Sequence, residues 1–82
     1  MDDIYRTNIN GVDISLKTTE STEYTDAVVE DLRHRIRNVM QEGHVSVHKA
    51  AILAGLTLCD ELAKAQAEND RLRREMERVR RY

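Results

Sequence analysis

Near the start of the chain, β-prone apolar residues alternate with polar ones on both sides of an Asn10-Gly11 pair. Asn-Gly tolerates the positive φ angles of a tight type I′ turn, so the pattern predicts a β-hairpin. The turn sets the register, in which Ile9 faces Val12. That register places six side chains on one face, which we expect to be buried: Tyr5, Thr7, Ile9, Val12, Ile14 and Leu16. The opposite face carries Arg6, Asn8, Asp13 and Ser15.

A helical pattern follows a short polar stretch. Ser21 or Thr22 can cap the helix, because a hydroxyl there accepts a hydrogen bond from a free backbone N–H. Apolar residues then recur with helical spacing and predict one stripe, formed by Tyr24, Val28, Leu32, Ile36, Val39 and Met40. Gly43 is expected to end the helix, since glycine readily takes the left-handed conformation common at that point.

A second, longer helix is predicted from Val47 to about Arg81, with Ser46 as its cap. At 1.5 Å per residue it would be roughly 50 Å long. Residues 50–59 are apolar on nearly every side, so we expect them to be buried by the rest of the chain and by a partner. Within this stretch, Cys59 is expected to be a small buried apolar residue rather than a nucleophile.

Toward the C-terminus the apolar positions narrow to a seam in which spacings of three and four residues alternate. This is the pattern of a coiled coil. The seam is the predicted dimerisation surface and consists of Leu58, Leu62, Ala65, Asn69, Leu72, Met76 and Val79. Asparagine at a seam position favours two strands in a fixed register.

The residues beside the seam indicate the direction of pairing. In the heptad that places Leu58 at d, the g positions are Glu61, Glu68 and Glu75, and the e positions are Gln66, Arg73 and Arg80. A parallel pair brings each g residue close to the following e residue of the other chain, so Glu68 and Glu75 meet arginines and Glu61 meets Gln66. An antiparallel pair would bring like charges together. The sequence therefore predicts a parallel coiled coil.

These elements predict an α+β fold: an N-terminal β-hairpin packed on an amphipathic helix, then a long helix that ends in a parallel coiled coil of a dimer. The predicted head domain spans residues 1–60, and the coiled coil spans 61–82. Because the seam is short and includes Ala65 and Asn69, we expect the head to add to dimerisation. Edge-to-edge pairing of the two hairpins, each only marginally stable alone, is one hypothesis for that addition.

Composition narrows the possible functions. The chain has 82 residues, one Cys, three His and neither Trp nor Phe. A lone Cys with scattered His lacks zinc-site spacing, and three tyrosines cannot easily wall an aromatic enzyme pocket. The net charge of −2 argues against a dedicated nucleic-acid binder. The absence of a long apolar run predicts no membrane span and a cytoplasmic protein. We therefore expect no catalytic residue, cofactor, metal, nucleic acid or membrane partner.

From Ala51 to Leu62 the chain reads A-I-L-A-G-L-T-L-C-D-E-L. This stretch resembles the motif A-V-L-A-A-L-N-L-A-D-E-L of the cell-division protein ZapA family. A hairpin with Gly11 at its tip and a helix from Tyr24 to Val39, in the family's order, extend the resemblance over nearly the whole chain. The resemblance implies a non-enzymatic adaptor at the mid-cell division site that binds FtsZ and crosslinks its filaments. It also implies a homodimer, and a homotetramer where two dimers pack together.

Exposure and charge, rather than a motif, select the residues expected to contact FtsZ. They lie on the polar face of the hairpin and around the connection between the helices: Arg6, Asn8, Asn10, Asp13, Arg33, Arg37, Glu42, His44, His48 and Lys49. One alternative is a generic coiled-coil dimerisation module of another cytoplasmic complex. A second is a nucleic-acid binder that uses the Arg-rich C-terminal end, which the acidic net charge disfavours.

Overall fold

The computed structural model describes residues 3–81. Its elements are β1 (Asp3–Ile9), β2 (Val12–Thr18), α1 (Thr22–Gly43) and α2 (Val47–Arg80). This is the predicted α+β order. The radius of gyration is 17.5 Å, whereas a compact domain of this length would have about 12 Å. With extents of 56 × 39 × 15 Å, the chain is a thin layer that encloses little core on its own.

The hairpin has the predicted register, with Tyr5 opposite Leu16, Thr7 opposite Ile14 and Ile9 opposite Val12. Both turn residues have positive φ, 51° at Asn10 and 95° at Gly11, as a type I′ turn requires. Tyr5, Thr7, Ile9 and Ile14 are half-buried. The expected burial of Val12 and Leu16 is wrong for the single chain, in which they are 44% and 37% exposed. The reason is that α1 lies against β1 only, so β2 projects beyond it.

Helix α1 begins as predicted, because the Ser21 hydroxyl accepts a hydrogen bond from the Tyr24 N–H at 3.1 Å. Its end differs from the prediction. Gly43 is still helical, and His44 takes the left-handed conformation with φ of 50°. Histidine is among the non-glycine residues found there more often than most. The helix therefore extends one residue further than the glycine signal indicates.

The apolar stripe of α1 is confirmed in its C-terminal half, where Ile36 is buried and Leu32, Val39 and Met40 pack around it. In its N-terminal half the stripe is not covered in the single chain. Tyr24 and Val28 are 57% and 51% exposed, and their neighbours Thr25 and Val29 are buried instead, each 7% exposed. The hairpin contacts this side of α1, as a hydrogen bond from the Tyr5 hydroxyl to Asp26 shows, so the covered face is rotated by one residue.

Helix α2 begins at the predicted cap, where the Ser46 hydroxyl accepts from the Lys49 N–H at 3.3 Å. It then packs on α1 through Ala50 and Ala54, which are 0% and 1% exposed and contact Ile36. Only this side of residues 50–59 is covered. The other side remains in solvent: Ile52 and Leu56 are 55% and 63% exposed, and Cys59 is exposed as well. The single chain therefore does not bury Cys59, and its expected burial stays a prediction for the assembly with a partner.

Candidate partner-binding surfaces

Three of the hairpin residues expected to contact a partner hold the turn together. The Asn8 side-chain amide donates to the Asp13 carboxylate at 2.8 Å, and its carbonyl oxygen accepts from the Gly11 N–H at 2.9 Å. The Asn10 side-chain amide donates to the Arg33 backbone carbonyl at 3.3 Å. These contacts give Asn8, Asn10 and Asp13 a role in shaping the hairpin tip and attaching it to α1.

Arg33, a further candidate contact residue, joins the hairpin to α1. Its Nη2 atom donates to the Thr7 hydroxyl at 3.1 Å and to the Asn8 backbone carbonyl at 2.9 Å. Its Nη1 atom forms an ion pair with Glu30 on the same helix. The guanidinium thus has three intramolecular acceptors, and its main role within the chain is to position the hairpin.

The other candidate contact residues have free side chains. Over residues 3–81, no side-chain hydrogen bond or ion pair involves Arg6, Arg37, Glu42, His44, His48 or Lys49, and all six residues are exposed. Apart from Arg6, they lie near the α1–α2 connection at the end of the head. This smaller set can meet a partner without breaking a contact of the fold.

The predicted seam forms a second surface, along one side of α2. Leu62, Leu72, Met76 and Val79 are 58%, 45%, 59% and 70% exposed, and Leu58 is half-buried. The part of α2 after Leu62 has no other described element packed on it. A row of large apolar side chains along an otherwise charged helix marks an interaction site, because isolated amphipathic helices gain stability mainly by burying that face.

The glutamates at the g positions have partners within their own chain. Arg35 binds Glu61 through two nitrogens, at 2.5 and 3.1 Å, and connects α1 to α2. Arg71 binds Glu68 at 2.6 Å and Glu75 at 3.4 Å. The hydrogen bonds from the arginines lower the pKa of Glu61 and of Glu68. Among the described residues, Arg73 and Arg80 make no ion pair.

A third surface, an apolar groove in the head, emerges only in three dimensions. It has a volume of about 280 Å³ and lies between the hairpin and α2, with α1 as its floor. Its lining residues are Ile9, Val12, Ile14, Leu32, Ile36, Val47, His48 and Ala51. Sequence reasoning identified the separate apolar faces but not this groove, because its width depends on how far β2 projects beyond α1.

In residues 3–81, no three His, Cys, Asp or Glu side chains come together as a group that could hold a metal ion. The raised pKa of Tyr5 follows chiefly from its hydrogen bond to Asp26, a contact that fastens β1 to α1. Neither helix, over the part described, has an apolar stretch long enough to cross a membrane.

The chain is similar to known proteins both in sequence and in structure. The family model described as cell division protein ZapA matches residues 6–82. Among solved structures, the chain is similar to a ZapA mutant dimer from Geobacillus stearothermophilus, with a TM-score of 0.78 and 20% sequence identity, over 94% of this chain and 91% of that one. At that identity the likeness shows the fold. None of the curated proteins matches the chain.

Proposed function

This chain belongs to the cell division protein ZapA family, and on that basis we propose that it is a non-enzymatic adaptor that binds FtsZ and crosslinks its filaments at the division ring. The family match over residues 6–82 is the observation that carries this proposal. The adaptor works in the cytoplasm at mid-cell. Its activity is binding, and none of its residues has to perform chemistry.

Pairing of two chains is the first step of the proposed function. The exposed part of the seam, from Leu62 to Val79, supports a parallel coiled coil, because Arg73 and Arg80 have no described partner in their own chain and would face Glu68 and Glu75 of the other chain. The head comprises residues 1–60, and the coiled coil comprises 61–82. The Geobacillus stearothermophilus structure, described as a dimer, has the same fold. Two such dimers can pack together into a tetramer.

The FtsZ-binding surface is proposed to lie on the head, at Arg6, Arg37, Glu42, His48 and Lys49. These residues are exposed, and their side chains are free of described intramolecular contacts. Asn8, Asn10, Asp13 and Arg33 contribute by holding the hairpin in position. Two or four heads on one assembly raise the effective concentration of each weak contact, so contacts that are individually weak suffice to bundle filaments.

Co-sedimentation with FtsZ polymers tests this proposal. The wild-type chain is expected to pellet with the polymers and to increase their light scattering. Arg37→Glu with Lys49→Glu reverses two free charges on the head and is expected to abolish pelleting while leaving the oligomer mass unchanged. Lys17→Glu with Lys64→Glu makes the same charge change at exposed positions outside the proposed surface and serves as the matched control.

A seam variant separates binding from crosslinking. Leu62→Lys with Leu72→Lys removes dimerisation and is expected to abolish bundling, because a single head cannot bridge two filaments. Absence of wild-type co-sedimentation at every protein ratio would reject the FtsZ proposal and favour a dimerisation module of another complex. Equal loss of pelleting in the head variant and its control would reject the proposed surface.

A further inference from the structure

The end of α2 carries three arginines on one side, and the residue that caps the helix is a fourth; we name these four residues the arginine stripe: Arg71, Arg74, Arg78 and Arg81. Spacings of three and four residues place successive members on the same face of a helix. All four are exposed, with 51% of the Arg71 side chain and 69% of the Arg78 side chain in solvent. The proposed FtsZ-binding surface on the head does not include this feature.

The arginine stripe faces away from the seam. In the heptad that places Leu58 at d, its members occupy positions c and f, the outermost positions of a coiled coil. If two chains pair in parallel as proposed, Arg73 and Arg80 at e face the partner's glutamates, whereas the stripe remains in solvent. Pairing therefore does not account for it, and a parallel dimer carries two copies of the stripe at the same end.

Neighbouring carboxylates neutralise the arginine stripe only in part. Arg71 is bound by Glu68 and Glu75, and the nearest carboxylate to Arg78 is Glu75 at 3.7 Å. Arg74 and Arg81 make no ion pair with another described residue. Arg71, Arg74, Arg78 and Glu75 surround a shallow hollow of about 380 Å³, so one carboxylate stands among three guanidinium groups.

Helix stability explains only part of this pattern. Basic residues in the last turn of a helix interact favourably with the negative end of its macrodipole, and the effect fades beyond that turn. Arg78 and Arg80 lie in the last turn of α2. Arg71 and Arg74 lie further from the end, where the dipole offers them little stabilisation. Their exposure and shared face therefore point to a ligand outside the chain.

We propose that the arginine stripe is a second interaction surface and that it binds an acidic segment of a partner protein. Guanidinium groups present paired donors that match carboxylates. The stripe is narrow, with Asp70 and Glu77 beside it, so its net positive charge is small and suits a few carboxylates better than the dense phosphate charge of a nucleic acid. It lacks the large apolar side chains that an interfacial helix inserts into a lipid surface.

The arginine stripe lies far along α2 from the proposed FtsZ-binding surface on the head. Arg74 lies about 40 Å along α2 from the helix start near the head, at 1.5 Å per residue. A partner on the stripe would not cover Arg37 or Lys49. The paired stripes of a parallel dimer would also favour a partner that presents two acidic segments, since the second contact becomes intramolecular. The binding of an acidic segment does not depend on FtsZ binding.

The test uses the full chain with three probes: a short poly-L-glutamate peptide, a short DNA duplex, and vesicles that contain phosphatidylglycerol. Poly-L-glutamate is expected to bind at low ionic strength and to be released by added salt. Arg74→Gln/Arg78→Gln/Arg81→Gln is expected to weaken that binding about tenfold, since each exposed ion pair contributes modestly. Lys17→Gln/Lys64→Gln removes exposed positive charges outside both proposed surfaces and is expected to leave binding within about twofold of wild type.

Several results would overturn the proposal. They are tighter binding of the DNA or the vesicles than of poly-L-glutamate, no binding of poly-L-glutamate, or an equal loss in the stripe variant and its control. Glutamine is a good helix former, so helix content and oligomer mass are expected to be unchanged. If the stripe variant loses helix content, Arg74→Gln alone, at a residue without a described ion pair, must still weaken binding by about twofold to threefold.

Discussion

The head and the far half of α2 differ in where their side chains find partners. In the head, side chains of the hairpin, α1 and the start of α2 contact one another. Asn8, Asn10 and Arg33 have hydrogen-bond acceptors in neighbouring elements, and Ile36 is 3% exposed. Beyond Leu62, the seam residues remain in solvent, and Val79 is 70% exposed. The difference teaches that contacts within its own chain position the elements of the head, although Ile52 and Leu56 on its other side stay exposed, whereas the end of α2 needs a second chain to bury its apolar side.

A positive charge introduced in the seam is expected to have the largest effect, because the end of α2 depends on a second chain. Leu72→Lys is expected to raise the dimer Kd at least about a hundredfold, because two chains each lose an apolar contact worth ~1.5–3 kcal/mol. Sedimentation equilibrium measures the change. Ala67→Lys places the same residue at the outward f position and is expected to leave the Kd nearly unchanged. A dimer of unaltered affinity in Leu72→Lys would show that the seam is not the interface.

A core truncation tests whether the head is stabilised from within. Ile36→Ala is expected to lower the free energy of unfolding by about 2–5 kcal/mol, since it removes buried methyl and methylene groups and leaves a cavity. Urea unfolding followed by circular dichroism reports the loss. Ile4→Ala, at a residue that is 57% exposed, is the matched control and is expected to cost less than about 1 kcal/mol. Similar losses in the two variants would contradict the core assignment.

Arg33 tests the attachment of the hairpin to α1. Arg33→Met keeps much of the side-chain volume but removes two hydrogen bonds to the hairpin, at a cost of about 1 kcal/mol each. Amide hydrogen exchange in β1 and β2 is expected to become faster, while exchange in α2 stays unchanged. Arg37→Met serves as the control, because Arg37 makes no described side-chain hydrogen bond. Unchanged exchange in the hairpin would mean that apolar contacts alone hold it.

The smallest effect is expected at the ion pair that crosses from α1 to α2. Arg35 lowers the pKa of Glu61 below its ordinary value of 4.5, so the pair stabilises the folded chain fully above about pH 4.5. That stabilisation is lost as the pH falls through the lower pKa of the folded state. Wild type is therefore expected to have a slightly higher Tm than Glu61→Gln at pH 7, and the difference is expected to shrink as the pH falls below 4.5. A difference that does not change with pH would assign the effect to packing rather than to charge.

Local signals in the sequence were sufficient for the elements and their order. Asn10-Gly11 specified the hairpin register, and Ser21 and Ser46 marked both helix starts, because turns and caps depend on a few adjacent residues. Signals that depend on neighbours in space were less reliable. The left-handed residue that ends α1 is His44 rather than Gly43, since the point where a helix stops also depends on the packing of the next element.

The sequence by itself determined the α+β order, the hairpin register and the apolar seam of α2, because each follows from a local period or turn. Only the tertiary structure decided which apolar residues the single chain covers. It buries Val29 rather than Val28, and it leaves Cys59 exposed and a groove open beneath β2. It also decided that Arg33 binds the hairpin and that Arg35 binds Glu61. Periodicity specifies which faces of an element are apolar, but the angles at which elements pack decide which of those faces remain open to a partner.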